Sequence, residues 1–142
     1  MLTIKVFLIS FVVFVVSGTA LAGATEMVAQ ATILDPAGKI IGLASLTEQP
    51  EGVTIVLRVS GLTPGMHGIH IHEKGVCTAP DFKSAGGHFN PFHKQHGINN
   101  PQGSHSGDLP NLEVNRDGIG ATTIVARGLT LEKGLHSIIR EG

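Results

Sequence analysis

The sequence contains no tryptophan and no tyrosine, and all six of its aromatic residues are phenylalanine. It has a single cysteine, Cys77, and three methionines, so sulfur is too scarce to build a metal site from thiolates. Charge is also sparse: 15 % of residues are Asp, Glu, Lys or Arg, and the formal net charge is −1. That balance excludes the basic footprint of a nucleic-acid binder and the polybasic patch of a membrane-surface protein. Long hydrophobic runs are absent too. The longest, Val6 to Val16, falls well short of the roughly 20 apolar residues needed to span a bilayer.

That run has another reading. Lys5 precedes it, and Ala20-Leu21-Ala22 follows as a small-residue cleavage site before Gly23. A positive end, a short apolar stretch and small residues are the marks of an export signal. Residues 1–22 are therefore read as a cleaved signal. Residues 23–142 are read as one mature domain, periplasmic or secreted, with no membrane contact after cleavage. No cysteine stands at the cleavage site to carry a lipid.

Glycine is abundant, at 19 residues, and short alternating segments are punctuated by turn residues. Strands are predicted at Met27 to Leu34, Ile40 to Leu46, Thr54 to Ser60, His67 to His72, Asn111 to Val114 and Gly120 to Val125. In the third, Ile55, Leu57 and Val59 share one face, while Thr54, Arg58 and Ser60 share the other. Val56 is the apolar exception on the polar face. The spacing indicates an all-β domain, an antiparallel sandwich or barrel, with no internal repeat and no amphipathic helix. Between Glu73 and Pro110 the period dissolves. A segment of that length without its own structure is expected to be functional.

Seven of the eight histidines lie between His67 and His105. His70 and His72 are two apart on a predicted strand, so they project from the same face. The loop adds His88, His96, His105 and Asp108 with spacing H-x7-H-x8-H-x2-D. Three imidazoles and a carboxylate suit a tetrahedral zinc ion, and an imidazole pair with open positions suits copper. His67, three before the pair, is expected on the opposite side of the strand in a structural role. His93 is expected to be a solvated loop residue, and His136 to be structural. Gly86, Gly87, Gly97 and Gly107 are expected to supply backbone freedom beside the ligands.

The pattern HGIHIHEKGVC…SAGGHFNP…HG…H-x-GDLPNL resembles the copper/zinc superoxide dismutases, in particular their secreted bacterial branch. The resemblance spans roughly Val28 to Gly142. It implies an eight-stranded Greek-key barrel that converts superoxide to oxygen and hydrogen peroxide. It also implies that His70 and His72 bind copper, that His88 bridges copper and zinc, and that His96, His105 and Asp108 complete the zinc site. His88 is then the catalytic residue, passing a proton to the second superoxide. Cys77 matches the cysteine that staples the metal loop to the barrel. Homodimers are common in that family, so a homodimer is a partner the resemblance leaves open. In the family, the strand after "LHSIIREG" carries a fourth copper histidine, followed by a linking aspartate, a guiding arginine and a second cysteine. Arg140 does not match that arginine. The resemblance thus implies an incomplete member lacking the last two strands. The competing expectation is an exported copper/zinc-binding protein without dismutase turnover.

Overall fold

The computed structural model describes residues 3–5 and 27–139, and the strands are β1 (Thr3–Lys5), β2 (Val28–Leu34), β3 (Ile40–Gln49), β4 (Gly52–Val59), β5 (Gly65–His70), β6 (Asp108–Val114) and β7 (Gly120–Arg127). The predicted cleavage site, and all of the export signal except Thr3–Lys5, lies outside the described residues. The strands form one sheet in the order β1-β5-β6-β7-β4-β3-β2. Every pairing is antiparallel except that of β1 with β5. β5, β6 and β7 are consecutive neighbours, and β4, which precedes them in sequence, lies beside the last. That is a Greek key read from its far end. The fold is all-β, as expected, and among the described residues the sheet is not closed.

Alternation explains the core. Along β4, Val53, Ile55, Leu57 and Val59 are buried while Val56 and Arg58 face outward. Val56 thus follows the period of two rather than its own hydrophobicity. Ala31 and Ile33 from β2, Ala44 and Leu46 from β3, and Ile124 and Ala126 from β7 complete the same inner layer. Ile69, Ile71, Leu109 and Leu112 join it from the β5–β6 side. The core is almost wholly aliphatic, with Phe89 its one aromatic member. β-Branched side chains pack well on a pleated surface, so aromatics are not needed to fill it.

Several boundaries differ from the sequence reading; β5 spans Gly65–His70 rather than His67 to His72, so His72 lies just past its end. β3 runs on to Gln49, where it pairs with Gly52 across the turn at residues 50–51. β6 begins at Asp108, three residues earlier than predicted, because Asp108 pairs with His70 and Leu109 with Ile69. Pro110 hides this strand from a local reading. It is tolerated because the register shifts here: the step from Leu109 to Leu112 lies opposite the shorter step from Ile69 to His67. A bulge is one of the few sheet positions open to proline.

Alternation along β5 settles His67. It is buried on the side of Ile69 and Ile71, away from His70 and His72, and its Nε2–H donates to Thr63 O at 2.7 Å. The long connection from β5 to β6 contains only a short 3-10 turn at Lys83–Ala85. Cys77 packs there with Phe82, Ala85, Leu34 and Ala79 in a second small apolar cluster.

Candidate metal centre

β5 ends on His70, and His72 follows just beyond it, forming an isolated bridge with His88. β6 starts on Asp108, directly opposite His70 in the ladder. The sheet therefore delivers one histidine strand and one carboxylate side by side, and the loop wraps the remaining imidazoles around them. The His70 and His88 rings stack with centroids 4.0 Å apart, and His72 meets His88 edge-on at 5.2 Å. His88 lies 5.0 Å from His96 and 5.4 Å from His105. All six predicted residues thus fall in one cluster, with His88 at its centre.

Asp108 organises one half. Its Oδ1 lies 2.9 Å from His88 Nδ1, 3.3 Å from His96 Nδ1 and 3.4 Å from His105 Nδ1, and its side chain is only 2 % exposed. His105 Nδ1 and His88 Nδ1 are themselves 3.4 Å apart. A tetrahedron with metal–ligand bonds near 2.0 Å has edges of about 3.3 Å, so these spacings fit a single zinc-sized ion. The second carboxylate oxygen accepts the Gly97 N–H at 2.7 Å and the His105 N–H at 3.2 Å. A looser quartet, with His70 in place of His105, also places its ligand atoms within 4.8 Å of one another. In the set gathered on Asp108 Oδ1, the three oxygen–nitrogen separations and the His88–His105 nitrogen separation lie between 2.9 and 3.4 Å, near that tetrahedral edge.

The other half contains His70, His72 and the far side of the His88 ring. His70 Nδ1 is buried without a hydrogen-bond partner, which leaves its lone pair open to an ion. His72 is aimed by its Nδ1–H, which donates to Gly86 O at 3.0 Å. A carbonyl only accepts, so this contact fixes the tautomer and leaves Nε2 as the lone-pair nitrogen.

The electrostatics keep these groups in ligand form. Burial lowers the pKa of His70 from 6.5 to about 4, reinforced by the neighbouring His88, His96 and His72 and opposed by Asp108. Burial also lowers that of His88, although its bond to Asp108 opposes the shift. Burial pushes the Asp108 carboxyl up. The Gly97 N–H, the His88 bond and the nearby His96 and His105 outweigh it and hold the carboxyl below its ordinary value. Neutral imidazoles beside an ionised carboxylate are what a divalent ion requires.

A pH dependence follows for the metal-free protein. With its folded pKa below its unfolded value, His70 binds fewer protons folded than unfolded, so stability falls as pH drops from 6.5 towards about 4. Chelator-treated protein should unfold at a lower temperature near about pH 4.5 than near pH 7. A His70→Gln variant, which cannot take up that proton, should show a shallower fall. An equal fall in both proteins would remove His70 as the cause.

Histidines outside the cluster take the bland roles expected of them. His93 is exposed at φ 51°, and the His136 Nδ1–H donates to Gly128 O at 2.8 Å. The glycines divide by cause. Gly86 and Gly97 have positive φ, whereas Gly107 owes its identity to close approach, since a Cβ there would collide with Ile71 O. Glu73, whose carboxylate accepts the Gly87 N–H at 3.2 Å, was not singled out by its sequence position. Nothing local marks it, because its partner is 14 residues away.

A Greek-key β-protein with histidines gathered around a buried carboxylate at the end of its sheet belongs to the class of β-proteins suited to holding a metal ion. The family model described as copper/zinc superoxide dismutase (SODC) matches residues 40–142, and the chain belongs to that family. A copper–zinc superoxide dismutase of Aquifex aeolicus is 44 % identical over 121 residues, covering 84 % of this chain and 72 % of that protein. The crystal structure of a superoxide dismutase-like protein from Bacillus subtilis is similar, with TM-score 0.74 and 42 % identity, covering 79 % of this chain and 76 % of that one. The Cu/Zn superoxide dismutase from Brucella abortus is similar with TM-score 0.61 and 32 % identity, covering 70 % of this chain and 72 % of that one. The family binds copper and zinc, and the His/Asp cluster found here is suited to holding a metal ion.

Proposed function

We propose that the protein disproportionates superoxide to oxygen and hydrogen peroxide. In this reading His70, His72 and His88 hold copper, and His88, His96, His105 and Asp108 hold zinc. The observation that carries it is the gathering of three Nδ1 atoms on one buried oxygen of Asp108, with the His88 ring placed between that oxygen and the His70/His72 pair. Family membership supports the same activity. When bound, copper would supply the one-electron redox change, and zinc a fixed charge of constant valence.

The chain's own residues do the rest. Asp108 commits His88 Nδ1, so Nε2 is the atom left to hold a proton and hand it on as peroxide forms. Gly86 O orients the His72 ring, so the pair presents lone-pair nitrogens without rearrangement. The N-terminal segment, read as an export signal, places this chemistry in the periplasm or outside the cell.

Metal binding without turnover is the second reading. It is favoured by a Bacillus subtilis relative, 50 % identical over 99 residues, that is named only as superoxide dismutase-like. Superoxide decay after pulse radiolysis separates the two readings, using protein loaded with stoichiometric copper and zinc beside a His70→Ala/His72→Ala variant. The proposal expects fast decay that the variant abolishes. Equal decay in both proteins, with metal still bound, would make the protein a metal holder.

A further inference from the structure

We propose that Glu73 is a positioning residue that sets the spacing between His72 and His88. The inference rests on the reading that these two imidazoles share the copper. Glu73 immediately follows His72 and is tied twice to the strip that leads into His88. Its main-chain N–H donates to Gly87 O at 3.0 Å, and its carboxylate Oε1 accepts the Gly87 N–H at 3.2 Å. The next residue continues the contact, with the Lys74 N–H donating to Ala85 O at 3.1 Å.

The opposite side of the strip is bound as well. Gly86 O accepts the His72 Nδ1–H, and His72 and His88 are bridge partners across the gap. Three consecutive residues therefore connect the two rings: Gly86 holds one, His88 carries the other, and Gly87 between them is held by Glu73. Gly86 is what allows a carboxylate to sit here. A Cβ at Gly86 would collide with Glu73 Oε1 and lie 2.8 Å from its Cγ, and Gly86 adopts a φ of +72°. The Gly86–Gly87 pair lies against the Glu73 side chain, which a residue with a Cβ at position 86 could not do.

The consequence is selective. His88 Nδ1 is fixed by Asp108, whereas the His72 ring depends on the position of the Gly86 carbonyl. Loosening the strip should disturb the His70/His72 half more than the half gathered on Asp108. An ionised acceptor makes a stronger bond to an N–H than a neutral one, but a neutral amide oxygen in the same place retains the geometry.

The test compares Glu73→Ala and Glu73→Gln with the unaltered protein and with His72→Ala. Copper and zinc affinities are read by chelator competition, the copper site by its EPR spectrum, and the Gly87 amide by hydrogen exchange on metal-free protein. Glu73→Ala should weaken copper by roughly 10- to 100-fold, as loss of an outer partner typically does, with a smaller change in zinc. It should also shift the EPR spectrum and speed exchange at Gly87. Glu73→Gln should restore copper affinity and spectrum to near those of the unaltered protein. The proposal is overturned if Glu73→Ala leaves Gly87 exchange and copper affinity unchanged. It is equally overturned if Glu73→Gln falls as far as Glu73→Ala, or if zinc is lost in step with copper. If His72→Ala leaves copper affinity unchanged, the copper assignment fails instead, and Gly87 exchange in the metal-free variants still decides the role of Glu73.

Discussion

Asp108→Ala is expected to remove zinc binding more completely than the loss of an outer partner would, by more than roughly 100-fold in affinity. One residue does three things here. Its Oδ1 collects the Nδ1 atoms of His88, His96 and His105. Its Oδ2 accepts the Gly97 and His105 N–H groups, closing the loop around the site. Its backbone pairs with His70, joining the two halves through the β5–β6 ladder. Alanine keeps only the last of these. Each buried donor left without an acceptor costs about 1–3 kcal/mol, so the metal-free protein should also unfold earlier. Chelator competition for zinc and a thermal melt of the chelated protein read the two effects separately. Zinc affinity within tenfold of the unaltered protein would mean that the carboxylate is not a ligand. Asn, which keeps an acceptor oxygen but no charge, should fall between the two.

Gly107→Ala is the second large effect, and its origin is steric. Three main-chain hydrogen bonds close a ring between distant segments: Ile71 N–H to Gly107 O at 2.9 Å, Gly107 N–H to Phe89 O at 2.8 Å, and Phe89 N–H to Ile71 O at 2.8 Å. Each segment carries part of the cluster. Ile71 lies between His70 and His72, Phe89 follows His88, and Gly107 lies between His105 and Asp108. A Cβ at Gly107 would strike Ile71 O and sit 3.1 Å from both Cβ and N of Phe89. These neighbours are mainly backbone, so no flexible side chain can yield. Overpacking typically costs about 1–3 kcal/mol, and here relief requires the three segments to part. The variant should melt at lower temperature and bind both metals more weakly. By contrast, a Cβ at Gly97 would meet open space. Gly97→Ala should therefore disturb only its own positive-φ turn. Equal effects from the two substitutions would show that backbone freedom, not close approach, is what Gly107 supplies.

Much of the candidate site could be read without coordinates. The H-x-H pair on a strand and the spaced His, His, His and Asp of the loop pointed to six residues, and the structure gathers those six. Parity along β5 separated His67 from His70 and His72, because successive side chains alternate faces. In β4 the same period placed Val56 outward despite its apolar character. Other features had no local mark. Asp108, Leu109 and Pro110 read as loop, yet they lie in a bulged strand. Gly107 looked like Gly97, although one is small to let backbones meet and the other is small to reach a positive φ.

The sequence by itself determined the kind of fold, through two-residue periodicity and turn chemistry, and the set of candidate metal-ligating side chains, through residue type and spacing. Both signals are local: they depend on a few neighbouring residues and survive without knowledge of what folds against them. Only the tertiary structure decided that Asp108 is the centre of its half and that β6 begins there. It alone placed Glu73 under the strip leading to His88. Those outcomes depend on pairings between residues 14 to 38 positions apart, such as Glu73 with Gly87 and His70 with Asp108. Such pairings follow from burial and hydrogen-bond satisfaction over the whole sheet, and no short window of sequence contains that information.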